Sequence, residues 1–150
     1  MDLYSRLHQK NIRARLIAGW SQYLHSRWEE AFAGHLTSSE KQEIYLKDDR
    51  YYSGYLWHLF SYKKVDHLAN NQAIRAFHGQ SKKSCYLFYQ HSDDVYLIDQ
   101  GHLLTYELLS KEEDVYVVDS DFTWTFVITH ETETCGPYFA VKSSQSLASL

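Results

Sequence analysis

The sequence predicts an α+β protein: a single domain with a mainly antiparallel sheet in its C-terminal half, packed on one side against N-terminal helices. Apolar residues at helical spacing lie mostly in the first half of the chain, and short aromatic and β-branched runs crowd the second half. Two gaps between those runs are short enough to be hairpin turns. Because 150 residues support one core, we place the domain at 1–142 and a serine-rich tail at 143–150.

Four helices are predicted from apolar spacing and from capping residues. They lie at 20–34, from Thr37 onward, at 70–79 and from about Thr105. In the first, apolar residues recur every three or four positions and Gly34 follows the last of them. In the second, Thr37 and Glu40 have the spacing of a capping box, in which each side chain accepts a hydrogen bond from the other residue's main chain.

Six short segments rich in aromatic and β-branched residues are predicted to be strands. They are 13–17, which would be an edge strand, 55–62, 85–90, 94–99, 114–119 and 122–131. Strand alternation would place His58 on an apolar face, where a hydrogen-bonded core histidine is expected. It would also point His130 and Glu131 to opposite faces of the last strand, so the two are not expected to form a pair.

Composition and the N-terminal segment predict the class and compartment of the protein. Aromatic residues make up 16% of the chain, which a disordered protein would not contain. Only two cysteines occur, Cys85 and Cys135, and the first residues, MDLYSRLHQKNIR, have no apolar signal-peptide core. No run approaches the roughly 20 apolar residues of a membrane span. We therefore expect a cytoplasmic protein with reduced thiols and no membrane partner.

The net charge of −4 conceals an uneven distribution of charge along the chain. Residues 84–139 carry one base, Lys111, against eleven acids, a net charge of −10, whereas residues 51–83 carry +4. The acidic part would repel nucleic acid and attract a basic protein. A regulator that binds nucleic acid fits poorly, because the bases of 51–83 are few and scattered.

The acids of the second half are the predicted partner-binding residues, together with nearby aromatic side chains. If the two hairpins are neighbours, their turns would form one acidic rim with aromatic anchors, which suits a basic protein partner. The predicted contact residues are Asp93, Asp94, Tyr96, Glu112, Glu113, Asp114, Tyr116, Asp119, Asp121 and Trp124. Acids also favour turns and keep sheet proteins soluble, so that explanation stays open beside the interface.

The stretch THETETC (129–135) is the densest group of reactive side chains, but its spacing matches no catalytic motif. It lacks the second histidine of HExxH. Possible zinc ligands are His58, Cys85, His91, His102, His130 and Cys135. No two of them have CxxC or HxxxH spacing. A metal- or thiol-dependent hydrolase that uses His130 and Cys135 stays open as the alternative function. No catalytic residue, metal or cofactor is predicted.

Three segments resemble a known family: WHLFSY (57–62), CYLFYQHSD (85–93) and DFTWTFVITHETETCGPYF (121–139). The chain resembles small bacterial cytoplasmic proteins catalogued as a domain of unknown function, over nearly its whole length apart from the tail. The resemblance implies an immunity protein, or antitoxin, encoded beside a polymorphic toxin with an LXG secretion domain. The partner it implies is the cognate toxin's basic domain, often a ribonuclease. It supplies no list of site residues.

Overall fold

The computed structural model describes residues 1–46, 54–81, 83–131 and 133–142. Within these ranges the chain forms six α-helices and one seven-stranded antiparallel sheet, which confirms the single α+β domain. The helices are α1 (Leu3–Gln9), α2 (Ser21–Ala33), α3 (Ser38–Glu43), α4 (His58–Ser61), α5 (Asn70–His78) and α6 (Tyr106–Leu109). The strands are β1 (Ala14–Leu16), β2 (Leu68–Ala69), β3 (Cys85–Tyr89), β4 (Val95–Ile98), β5 (Val115–Asp119), β6 (Trp124–Ile128) and β7 (Tyr138–Val141). The predicted tail at 143–150 lies outside the described residues.

The sheet has the strand order β1-β4-β3-β5-β6-β7-β2. Strand β1 lies at one edge, as predicted. The two predicted hairpins are also present, because β3 pairs with β4 and β5 pairs with β6, each in antiparallel register. The hairpins are neighbours in the sheet, since β3 also pairs with β5. The centre of the sheet is thus built from segments that follow one another closely in the chain.

Helices cover both faces of the sheet, so packing on one side alone was a wrong prediction. Helices α2 and α4 pack on one face, where Trp28 and Phe60 lie in the same core layer as Tyr116 of β5. Helices α1, α5 and α6 pack on the other, where Phe77 stacks on Phe126 of β6 at 4.2 Å between ring centroids. The physical reason is visible in β5, where Val115–Val118 are all buried, as in strands covered on both sides.

The predicted helix boundaries are confirmed where a capping residue marks them. Thr37 accepts a hydrogen bond from the amide of Glu40, and the Glu40 side chain accepts one from the amide of Thr37, so the capping box at α3 is complete. Thr105 caps α6 by a single hydrogen bond, which its side chain accepts from the amide of Leu108. Gly34 and Gly79 are the C-cap residues that follow helices α2 and α5.

The segment 55–62 is not a strand but a turn followed by helix α4. Its buried residues are Leu56, Trp57, Leu59 and Phe60, and the spacing of Leu56, Leu59 and Phe60 is that of one helix face. A short continuous apolar run does not separate a strand from a buried helix by periodicity alone. His58 is half-buried rather than a core residue, and its Nδ1 lies 2.9 Å from the carbonyl oxygen of Ile44.

The last predicted strand is shorter than 122–131, and this changes the position of His130. Strand β6 runs only from Trp124 to Ile128. Phe122 lies in the preceding turn with a φ of +56°, and its side chain joins the core layer opposite to that of Trp124. Residues after Ile128 form the connection to β7, a strand that the sequence pattern did not predict, as it did not predict α1 or β2. Among the described residues, no helix combines the length and apolar character needed to cross a membrane.

Candidate functional site

The antiparallel register brings three connections to one end of the sheet. Tyr89 at the end of β3 pairs with Val115 at the start of β5, which itself pairs with Ile128 at the end of β6. The β3–β4 turn (90–94), the loop before β5 (110–114) and the described part of the β6–β7 connection (129–131 and 133–137) therefore lie side by side. Five exposed carboxylates project from them, and we call this group the acidic end: Asp93, Asp94, Glu113, Glu131 and Glu133.

The other hairpin turn lies at the opposite end of the sheet, so the single rim predicted from two turns does not form. Asp119, the last residue of β5, pairs with Cys85, the first residue of β3. It lies about 14 Å along the strand from Val115, which is at the acidic end. Asp119 is not free for a partner, because it accepts hydrogen bonds from the amides of Thr123 and Trp124 at 2.6 and 3.1 Å. Asp121 is exposed and lines a shallow depression with Arg27 and Lys142. The hairpins are neighbours, but their antiparallel order sends their turns in opposite directions.

Asp114 is buried and organises the acidic end from beneath. One carboxylate oxygen accepts hydrogen bonds from Nε1 of Trp57 at 2.8 Å and from the amide of His130 at 3.1 Å. Nδ1 of His130 lies 3.0 Å from both oxygens. This hydrogen bond, followed by the negative charge of Asp114, raises the pKa of His130 above its ordinary value. Asp114 therefore holds the loop before β5, the β6–β7 connection and the turn before α4 together.

Glu112 also has structural partners rather than an open surface. Its carboxylate accepts a hydrogen bond from the hydroxyl of Tyr89 at 2.5 Å and pairs with Arg6 of α1 at 3.2 Å. Burial, and then the hydrogen bond to Glu112, raises the pKa of Tyr89 well above its ordinary value. The predicted cluster Glu112-Glu113-Asp114 thus divides into two acids that hold the fold and one, Glu113, that is exposed.

Two of the three predicted aromatic anchors are buried, and that part of the prediction was wrong. Tyr116 is fully buried between the helices and the sheet, where its hydroxyl donates to Oε1 of Gln90 and accepts from the amide of Trp57. Trp124 is 5% exposed and lies at the far end of the sheet. Tyr96 is half-buried and stacks on Tyr4, so it alone has exposed ring surface. Alternation on a sheet covered on both faces leaves few strand side chains at the surface.

A group of rings at the acidic end was missed by the sequence analysis. Tyr55 lies at its centre, with ring centroids 5.1 Å from His91, 5.0 Å from His130 and 5.5 Å from His58. His58 in turn contacts Tyr62 at 5.4 Å. We call these five side chains the ring strip. The sequence signal for the ring strip was the helical spacing of apolar residues within 55–62. The aromatic composition of that segment favoured a strand instead.

His130 and Glu131 are closer than strand alternation predicts. Because β6 has ended, both residues lie in a turn, and Nε2 of His130 is 3.6 Å from Oε1 of Glu131. Cys135 packs against the α2 face of the core, and its amide donates to the carbonyl oxygen of Glu131 at 2.6 Å. Within 1–46, 54–81, 83–131 and 133–142, no three His, Cys, Asp or Glu side chains converge as metal ligands.

A family model for a domain of unknown function, DUF4275, matches residues 1–139 of the chain. The chain belongs to the DUF4275 family. The match covers the described sheet up to Phe139 in β7, the six helices of the described residues and the three connections of the acidic end. The family description names no activity, so immunity against a toxin remains a prediction for this DUF4275 chain. Neither a curated protein nor a solved structure matches it.

Proposed function

We propose that this chain is a cytoplasmic immunity protein that binds and neutralises a basic toxin domain, a ribonuclease in particular, through the acidic end. The observation that carries the proposal is the convergence of five exposed carboxylates from three separate connections. Among the described residues of those connections, Lys111 is the only lysine or arginine. Acids that served solubility alone would be expected with bases interspersed.

The chemistry of a ribonuclease makes it a fitting partner for such a surface. An enzyme that binds RNA presents a basic cleft to the phosphates. A protein with carboxylates on one end can occupy that cleft in place of RNA, and opposite charges accelerate the encounter. The binding would be fast and sensitive to salt.

Exposure separates the predicted contact residues that a partner can reach from those that it cannot. Asp93, Asp94 and Glu113 are exposed at the acidic end and are the proposed contact residues. Glu112 and Asp114 hold the three connections in place and would act through that role. The remaining members of the predicted set lie at the far end of the sheet, in its core or beside α1.

A charge reversal at the acidic end tests the proposal. The triple variant Asp93→Lys, Asp94→Lys, Glu113→Lys would be co-expressed with the toxin encoded beside the gene, and growth would be measured. The matched control, Glu30→Lys, Asp99→Lys, Asp121→Lys, changes the net charge equally but at the opposite end. We expect the first variant to lose rescue, with association slowed by about tenfold or more, and the control to retain both. Equal rescue by both variants would contradict the proposal.

One observation favours a second candidate, a hydrolase with His130 as general base. Asp114 holds Nδ1 of His130 at 3.0 Å, as a carboxylate does when it orients a catalytic imidazole. Turnover of a phosphodiester or ester probe by the wild-type chain, abolished in His130→Gln, would support this function. Absence of turnover in the wild-type chain would remove it.

A further inference from the structure

The ring strip lies at the surface, and its rings are exposed or half-buried. Tyr62 is 48% exposed, and His91 and His130 are exposed as well. Tyr55 and His58 are half-buried between them, and the indole of Trp57 stacks beneath Tyr55 at 5.1 Å. Tyrosine and tryptophan side chains at a surface, backed by a rigid core, are typical of the residues that dominate binding energy at protein interfaces.

Carboxylates border the ring strip on the side of the acidic end. Burial raises the pKa of Tyr55, and the negative charges of Asp114, Glu131 and Glu113 raise it further, in that order. Asp114 is buried and bound to Trp57 and His130, whereas Glu113 and Glu131 are exposed. The strip therefore combines aromatic rings with two solvent-exposed carboxylates, all within one surface patch.

We infer that the ring strip, with Glu113 and Glu131, receives an arginine side chain of the basic partner. A guanidinium is planar, so it can stack on an aromatic ring while it donates two parallel hydrogen bonds to a carboxylate. A lysine ammonium is a strongly hydrated point charge and does not satisfy both features at once. The inference rests on the proposed function, because it presumes a basic partner. It adds that the anchoring side chain is an arginine and that the ring strip is its binding site.

Capped hexa-arginine and hexa-lysine peptides are suitable probes, since they do not require the partner. Their dissociation constants for the full chain would be measured by calorimetry at pH 8, and the indole N–H signal of Trp57 would be followed by NMR. We expect arginine to bind about tenfold more tightly than lysine, because stacking and paired hydrogen bonds add to the shared charge attraction. At pH 6 the affinity should fall, because protonation of His130, whose pKa is raised by the hydrogen bond to Asp114, adds positive charge to the strip beside Glu113 and Glu131.

Three variants locate the binding of the arginine peptide. Tyr55→Leu removes the central ring and should lower the affinity for hexa-arginine to that for hexa-lysine, about tenfold. Tyr55→Phe keeps the ring and should bind as the wild type does, which separates stacking from a general loss of structure. The double variant Glu113→Gln, Glu131→Gln should weaken both peptides, whereas the matched double Glu30→Gln, Asp121→Asn should weaken neither.

The possible results separate this inference from the proposed function. The arginine-binding site would be overturned by equal affinity for the two peptides in the wild type, or by an arginine preference that Tyr55→Leu leaves unchanged. Either result is compatible with rescue from the toxin. If charge reversal abolishes rescue but the wild type binds the two peptides equally, the proposed function stands and the arginine inference is overturned. Dimerisation of the free chain that Tyr55→Leu abolishes would assign the strip to a second copy and would likewise overturn it.

Discussion

Replacing Asp114 with alanine should lower the free energy of unfolding by about 4 kcal/mol, a large share of the stability of a small domain. The buried indole N–H of Trp57 would lose its acceptor, which costs about 1–3 kcal/mol. The partly buried amide of His130 would lose the same acceptor and adds about 1 kcal/mol. Asp114 also has a φ of +54°, and alanine disfavours this conformation by about 1 kcal/mol more.

Urea denaturation followed by circular dichroism at pH 7 measures this loss. Asp114→Asn should cost less than Asp114→Ala, because asparagine tolerates a positive φ and retains an oxygen acceptor. The control is Glu113→Ala, a change at the exposed neighbour that should stay within about 0.5 kcal/mol of the wild type. A cost below about 1 kcal/mol for Asp114→Ala would refute the role of Asp114 as the organiser of the acidic end.

Three further predictions concern histidine protonation, core hydrogen bonding and helix capping. Because Asp114 raises the pKa of His130, the stability from this pair is complete below about pH 6.5 and is lost as pH rises through the folded-state pKa. Asp114→Asn should therefore cost more at pH 6 than at pH 8, and should return the NMR-measured pKa of His130 toward its ordinary value. Thr125→Val removes the hydroxyl that accepts from the buried indole N–H of Trp28 at 2.9 Å, and should lower the free energy of unfolding by about 1–3 kcal/mol. Thr125→Ser keeps a hydroxyl acceptor and should retain most of that stability. Thr37→Ala removes the capping box and should cost about 1 kcal/mol in the same denaturation assay, and an unchanged midpoint would contradict the cap's contribution.

Local sequence signals were enough for elements whose cause is local. The capping box at Thr37 depends on residues three apart, and the strands β3 to β6 each have a short aromatic and β-branched run. Strand β2 has two residues and exists because it pairs with β7. Helix α4 has the composition of a strand, and its identity depends on which side chains the core accepts. Strand pairing and burial depend on residues far away in the chain, so the sequence of a single segment does not predict them.

The acids of the candidate site show the same limit. Composition identified the excess of carboxylates in the second half of the chain but not which of them are free to bind. Glu112 is taken up by Arg6, which is 106 positions away, and Asp114 by Trp57, which is 57 positions away. Neither partner can be inferred from the neighbouring residues. The register that sends the two hairpin turns to opposite ends follows only from the order of the paired strands.

Coverage of both sheet faces by helices has a consequence for how this scaffold could diversify. The interior of the domain is committed to packing, so a substitution on either face of β5 or β6 disturbs one of the two apolar layers. The exposed residues of the three connections at the acidic end have no such constraint, unlike Gln90, Glu112, Asp114 and Thr129, whose side chains hold hydrogen bonds within the fold. Loops of this kind tolerate exchange and insertion while the elements around them stay fixed. A lineage could therefore acquire a new recognition specificity by exchanging a few residues in these connections, without having to refold its core.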